Sequence, residues 1–279
     1  MQYNILKDKI EIIGKDDFNP FHILECGQIF RFHKNDKGNY IVYSMNKKAE
    51  IEETETGYDI LTNDPEYFVQ FFNLSVDYTK IKEDISKLSP AIKDAVNLCG
   101  GLRILKGELF EIIVSFIISA NNNIKRIKLI IDRLTKALGD DMGDYYAFPT
   151  VEQLKDVDEA FFKSIGAGYR AKYLCEVSKA YSLLIKEDLS AMSDIELRKK
   201  LMKIKGVGSK VADCIMLFAF NRKKIFPVDV WMERVYYEFF GQEKMSREKI
   251  SAFLTNKFGD NSGYIQQYLF FSKTVKIKK

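Results

Sequence analysis

The 279-residue chain predicts an α+β fold, an N-terminal antiparallel β-sheet domain followed by a mostly α-helical body. Three observations predict it. Residues 1–62 alternate in the two-residue rhythm of half-buried strands, interrupted by turn residues. From Asp64 onward, apolar residues recur at helical spacing. Lys205-Gly206-Val207-Gly208 then sets two glycines around one apolar residue, between two such helical runs.

In order, 9–13, 28–32, 39–45, 49–53 and 58–61 read as strands, with Asp36-Lys37-Gly38 and Thr56-Gly57 as turns. Asp64-Pro65 reads as an N-cap followed by a proline in the first helical position. Phe68, Phe71, Phe72 and Leu74 give that helix its apolar face. Short helices over 78–88 and 90–98 end at Gly100-Gly101, which divides the chain into a sheet domain with bridging helices (1–100) and a helical region (101–279). The nearly all-apolar run 109–119 predicts a buried helix. It stops at Asn121-Asn122-Asn123, and 124–138 forms the next. Short helices over 149–157 and 159–165 end at Gly166-Ala167-Gly168, and a long helix runs from Tyr169 to about residue 186. Ile195, Leu197, Leu201 and Ile204 lead into the glycine hairpin; Val211, Cys214, Ile215, Phe218 and Ala219 lead out of it. Helices over 230–240, 247–258 and 262–273 complete the body.

Net charge is only +4, but it is uneven: residues 1–100 hold 12 Lys+Arg against 17 Asp+Glu, and the remainder 31 against 22. The basic surplus lies with the hairpin, extended by Lys273, Lys276, Lys278 and Lys279, and suits a polyanionic partner. Cys26, Cys99, Cys175 and Cys214 are far apart, which argues against a zinc site or an iron–sulfur cluster. MQYNILKDKI has no apolar signal core, and the longest apolar stretch, 109–120, is too short to span a bilayer. A monomer in the cytoplasm, without membrane attachment or resident metal, is the expectation.

Lys210 stands two residues beyond Gly208, and Cys214 lies one turn along the same helix face. Asp229, in Pro227-Val228-Asp229, follows nineteen residues after Lys210. Taken singly, Lys210 could be a phosphate contact and Asp229 an N-cap. Together with the hairpin, their spacing resembles the helix-hairpin-helix (HhH-GPD) DNA glycosylases of the bifunctional type. Further segments narrow the resemblance to 8-oxoguanine DNA glycosylase/lyase. They are Cys26-Gly27-Gln28-Ile29-Phe30-Arg31-Phe32, the asparagine triplet with Ile124-Lys125-Arg126, Gly168-Tyr169-Arg170, and Gly263-Tyr264-Ile265-Gln266 with Leu269-Phe270. The chain departs from that family's pattern at Phe32, at Ala120 and at Trp231, where better-known members often carry a phosphate-contacting histidine.

The resemblance implies excision of 8-oxoguanine, preferably opposite cytosine, from double-stranded DNA, followed by strand cleavage by β-elimination. Lys210 would attack C1′ of an extruded nucleotide, and Asp229 would steady the developing sugar cation. The Gly27 carbonyl would receive the N7 hydrogen that distinguishes 8-oxoguanine from guanine. Cys214 and Phe270 would sandwich the ring, and Gln266 would bond its pairing edge. Asn121, Arg126, Tyr169 and Arg170 would fill the gap and read the orphaned cytosine. Gly206, Val207 and Gly208 would hold a DNA phosphate through main-chain N–H groups, with room for a bridging cation and no other cofactor. A lyase for oxidised pyrimidines would share Lys210 and Asp229 without needing Gly27, Gln266 and Phe270. A non-catalytic DNA-binding module would need only the hairpin.

Overall fold

The computed structural model describes residues 1–241 and 243–278, without the side chains of 276–278. Its sheet comprises β1 (Gln2–Ile5), β2 (Lys9–Ile13), β3 (Phe32–Lys34), β4 (Tyr40–Ser44), β5 (Lys47–Glu53) and β6 (Gly57–Leu61). The strands pair antiparallel in the order β1-β2-β6-β5-β4-β3. Register follows the alternation: Ile10 lies opposite Ile60, Ile60 opposite Ile51, and Ile51 opposite Tyr40, all four buried on the inner face.

Two departures occur within the sheet domain. Strand β1 adds an edge the sequence reading did not include, and a short helix, α1 (Pro20–Leu24), precedes the glycine loop. The expected strand over 28–32 is irregular up to Arg31. The reason is burial on both sides: Gln28, Ile29, Phe30, Arg31 and Phe32 are consecutively buried, so no face is left for solvent. The Gln28 amide fastens the segment by donating to the carbonyls of Ile23 (3.1 Å) and Arg103 (2.7 Å) and accepting from the Leu105 N–H (2.8 Å).

The bridging helices are α2 (Pro65–Phe71), α3 (Tyr78–Ser86) and α4 (Pro90–Leu98). Asp64 precedes α2 without capping it, because its carboxylate is drawn to the Lys47 ammonium at 2.5 Å. The body contains α5 (Leu109–Ser119), α6 (Ile124–Leu138), α7 (Val151–Leu154), α8 (Glu159–Ser164), α9 (Ala171–Leu184), α10 (Asp194–Leu201), α11 (Ser209–Phe218), α12 (Val230–Phe239), α13 (Arg247–Phe258) and α14 (Ser262–Lys278). Tyr169 and Arg170 lie in a 3-10 turn ahead of α9, and α14 continues past residue 273. Lys279 and the side chains of Lys276 and Lys278, counted above in the basic tail, lie outside the description.

Helix α5 is central, with residues 110–118 all buried. Even Glu111 is inside, where it meets Arg31 at 3.4 Å and accepts the Met45 N–H at 2.6 Å. One core joins the inner face of the sheet to α5, α6, α9 and α11; a second joins α4 to α12, α13 and α14. The sheet and helical body therefore support one another across residue 100. No helix among the described residues is long and apolar enough to cross a membrane.

Candidate active site

The hairpin links α10, which opens with a Ser193/Glu196 capping box, to α11. Gly206 is required twice over: its φ is +89°, and a Cβ there would come within 2.8 Å of the Tyr173 ring. Val207 is buried and donates its N–H to the Ile204 carbonyl at 3.0 Å, which closes the turn. Gly208 caps α11, and a Cβ built on it would meet nothing within 4 Å. The first turn of α11 thus begins at a backbone free of side-chain cover. A helix start of this kind presents N–H groups to an anion.

Lys210, half-buried in that first turn, lays its amine 5.3 Å from the centroid of Phe116 on α5. Phe116 is itself packed against Phe218 and Phe30, at 5.6 and 5.7 Å between centroids. The amine is therefore seated on an apolar aromatic floor. Phe116 was hidden from sequence reasoning, because it lies in a nearly all-apolar run with no distinguishing signal.

Asp229 is the N-cap of α12, where its Oδ1 accepts the N–H groups of Trp231 (3.0 Å) and Met232 (2.9 Å). Cys214, one turn beyond Lys210 on α11, is buried. Burial pushes that thiol up to about 11; the Lys210 amine, within hydrogen-bonding reach, pulls down, and the Asp229 carboxylate pushes up. Cys214 stays a neutral thiol at physiological pH, suited to apolar contact.

Helix α11 is held by its neighbours. Arg198 of α10 donates to the buried Asp213 at 2.6 Å, and Ser209 donates to Glu248 of α13 at 3.0 Å. Neither contact was foreseen, since each partner reads as an ordinary surface residue.

The base-binding candidates gather where α14 meets the loop after α1. Gly27 has φ +80°, and a Cβ there would lie 3.7 Å from the Phe270 ring. Gln267 Nε2 also reaches Cys26 Sγ at 3.9 Å. Gln266 is buried, one turn before Phe270 on α14, and its Oε1 has no hydrogen-bond partner among the described residues. An unsatisfied buried amide oxygen is uncommon and costly, and it fits a group that accepts from a ligand.

The remaining candidates form a second cluster at the end of α5. Asn121 is exposed in a left-handed conformation, φ +49°, which asparagine tolerates. Asn123 caps α6 by accepting the Arg126 N–H at 3.0 Å. Arg126 is exposed and reaches the Gly166 carbonyl at 3.2 Å, and Tyr169, also exposed, donates to the Ala120 carbonyl at 3.1 Å. Arg170 departs from its expected role. It is 4% exposed, and its guanidinium donates to the carbonyls of Ala120, Ala167 and Asn121. In this conformation it fixes the asparagine turn from within and presents no free donor fork to a base. Among the described residues, no three His, Cys, Asp or Glu side chains come together to hold a metal.

Comparison with known proteins agrees with this geometry. Residues 11–113 match the 8-oxoguanine DNA glycosylase N-terminal domain, and 114–259 the HhH-GPD superfamily of base excision DNA repair proteins. An N-glycosylase/DNA lyase of Arabidopsis thaliana is 30% identical over 74% of this chain, and the match spans 61% of that protein. An N-glycosylase/DNA lyase of Saccharomyces cerevisiae is 29% identical over 80% of this chain and 68% of its own length. The crystal structure of Clostridium acetobutylicum 8-oxoguanine glycosylase/lyase, in complex with double-stranded DNA containing cytosine opposite 8-oxoguanine, superposes with a TM-score of 0.89. It is 35% identical and covers 100% of this chain and 99% of that one.

Proposed function

The chain belongs to the HhH-GPD superfamily of base excision DNA repair proteins, in the branch with an 8-oxoguanine DNA glycosylase N-terminal domain, and we propose that it is a bifunctional 8-oxoguanine DNA glycosylase/lyase. Its substrate is double-stranded DNA in which the damaged nucleotide is rotated out of the stack. The carrying observation is the glycine hairpin that opens α11 with the Lys210 amine seated over Phe116 in its first turn, in a chain that superposes over its whole length on an 8-oxoguanine glycosylase/lyase.

The free amine of Lys210 attacks C1′ as the N-glycosidic bond breaks, and the base departs with the bonding pair and is protonated. Positive charge that develops on the sugar faces the Asp229 carboxylate. Opening of the sugar ring gives an imine between Lys210 and C1′. That imine acidifies C2′–H; loss of the proton expels the 3′ phosphate and cuts the strand. Gly27 supplies a carbonyl to the N7 hydrogen of 8-oxoguanine, whereas guanine would present an acceptor there. Phe270 and Cys214 take the two ring faces, and Gln266 Oε1 accepts from the pairing edge. Gly206, Val207 and Gly208 take a phosphate. A cation bridging hairpin and phosphate would be held by main-chain carbonyls of the hairpin, since no cluster of three metal-ligating side chains occurs among the described residues. Asn121, Arg126 and Tyr169 stand on the side of the orphaned cytosine, with Arg170 behind them.

Borohydride trapping tests this reading. Wild-type protein is expected to become covalently linked to a duplex with 8-oxoguanine opposite cytosine, less to one with adenine opposite, and Lys210→Gln to neither. Arg126→Ala is expected to bring the two duplexes closer together. Trapping confined to an oxidised pyrimidine would replace the substrate, and no trapping on any lesion would leave only DNA binding.

A further inference from the structure

Trp231, the only tryptophan of the chain, is the second residue of α12. Its main-chain N–H is engaged by the Asp229 carboxylate at 3.0 Å, yet its indole is 45% exposed. Val230 beside it is equally exposed, at 45%, while Met232, Val235 and Tyr236 bury the opposite face of the helix. The exposure is therefore a property of the first turn, and the indole lies on the outer side of α12. Arg234, exposed on the next turn, sets its guanidinium carbon 4.9 Å from the indole ring centroid. An aromatic plane backed by a cation, adjacent to a reaction-centre carboxylate, combines the two elements that single-stranded nucleic acid selects: a stacking surface and a positive charge for the backbone.

A nucleotide turned out of the duplex leaves its neighbours with unstacked faces. We propose that Trp231 stacks on a base of the lesion strand flanking the extruded nucleotide, with Arg234 beside it on the phosphate. This rests on the glycosylase reading above, because that reading brings the strand to Asp229. It assigns to this chain a stacking contact two residues beyond Asp229. The contact would hold the opened duplex by surface rather than by charge.

The sole tryptophan reports on its own contact. With Lys210→Gln protein, in which chemistry is blocked, titration with an 8-oxoguanine duplex should quench the fluorescence and protect it from iodide. Binding followed by anisotropy should weaken about tenfold or more in Trp231→Ala, and Trp231→Phe should recover most of the loss. The slope of log affinity against log salt should be unchanged in Trp231→Ala, since a ring displaces no counterions, and should fall by about one phosphate contact in Arg234→Ala. The melting temperature of Trp231→Ala should match wild type, which separates the contact from a structural role. Trp231→Ala protein that binds as tightly as wild type overturns this inference alone, provided borohydride trapping by wild type is intact. Wild-type protein that traps on no lesion overturns both readings.

Discussion

Asp229 caps α12, and the proposed reaction would add a chemical demand on the same carboxylate. As a cap it needs only an acceptor for the Trp231 and Met232 N–H groups; facing a sugar cation it needs a negative charge. Asparagine retains the first and loses the second. Asp229→Asn should therefore lower single-turnover excision about 10²- to 10³-fold, the range found when one stabilising group is removed, and leave the thermal midpoint nearly unchanged. Asp229→Ala loses the cap as well, about 1 kcal/mol, and its midpoint should drop by about 2–4 °C. Calorimetry beside quenched-flow excision distinguishes the two, and an asparagine variant that unfolds would make the cap the dominant role. The hairpin, Lys210 and Asp229 are a short-range pattern, and it was their resemblance to a known family, not spacing by itself, that singled the two residues out. That pattern could not disclose the inward turn of Arg170, whose acceptors, the Ala120 and Asn121 carbonyls, lie about fifty residues away. Nor could it disclose Phe116 beneath the amine, since Phe116 lies among the many apolar residues of α5 with nothing to set it apart.

At the scale of elements, the helices were legible and the recognition loop was not. Caps, prolines and 3.6-residue periodicity are local signals, and α4, α5, α6 and α13 coincide with the predicted runs. The loop over 26–31 alternates like a strand, but its conformation is imposed by contacts with residues far along the chain, chiefly through Gln28. That amide fastens the residue next to Gly27, whose φ is +80° and whose built Cβ would lie 3.7 Å from the Phe270 ring. Gln28→Leu, of similar size but without donors or acceptors, should loosen the loop and leave the Arg103 carbonyl and Leu105 N–H unpaired. The expected result is a loss of about tenfold or more in 8-oxoguanine excision, while strand cleavage at a preformed abasic site is largely retained, because that step uses Lys210 and no base pocket. Gel assays on the two substrates decide the matter; equal losses on both would show that Gln28 supports the site as a whole.

Across the whole molecule, the sheet-side helices and the C-terminal helix meet at a junction built partly from polar groups. Arg103 is fully buried there, with its guanidinium carbon 4.2 Å from the centroid of Tyr78 on α3, and Tyr78 packs edge-on against Tyr264 of α14. Lys223 completes the junction. Its carbonyl receives the Gly263 N–H at 2.8 Å and fixes the start of α14, and its amine lies 5.2 Å from the Tyr264 ring centroid with no hydrogen-bond partner among the described residues. Burial pulls this amine down from 10.5 to about 7. Above 10.5 both folded and unfolded chains hold it neutral. Between about 7 and 10.5 the unfolded chain binds a proton that the folded chain does not, so its contribution makes stability rise with pH. Below about 7 both bind it, and the full penalty of a buried unpaired ammonium applies. Lys223→Met keeps the length of the side chain and removes the charge. Its midpoint in denaturant should exceed that of wild type most at pH 6.5, and the gain should shrink steadily towards pH 9.5. A gain equal at all pH values would mean that methionine merely packs better, and no gain at pH 6.5 would mean that the amine finds water or a partner when protonated. Since the same junction carries α14, and with it Gln266 and Phe270, a pH-dependent loosening at Lys223 should be felt in base recognition before it is felt at Lys210 and Asp229, which stand on α11 and at the head of α12.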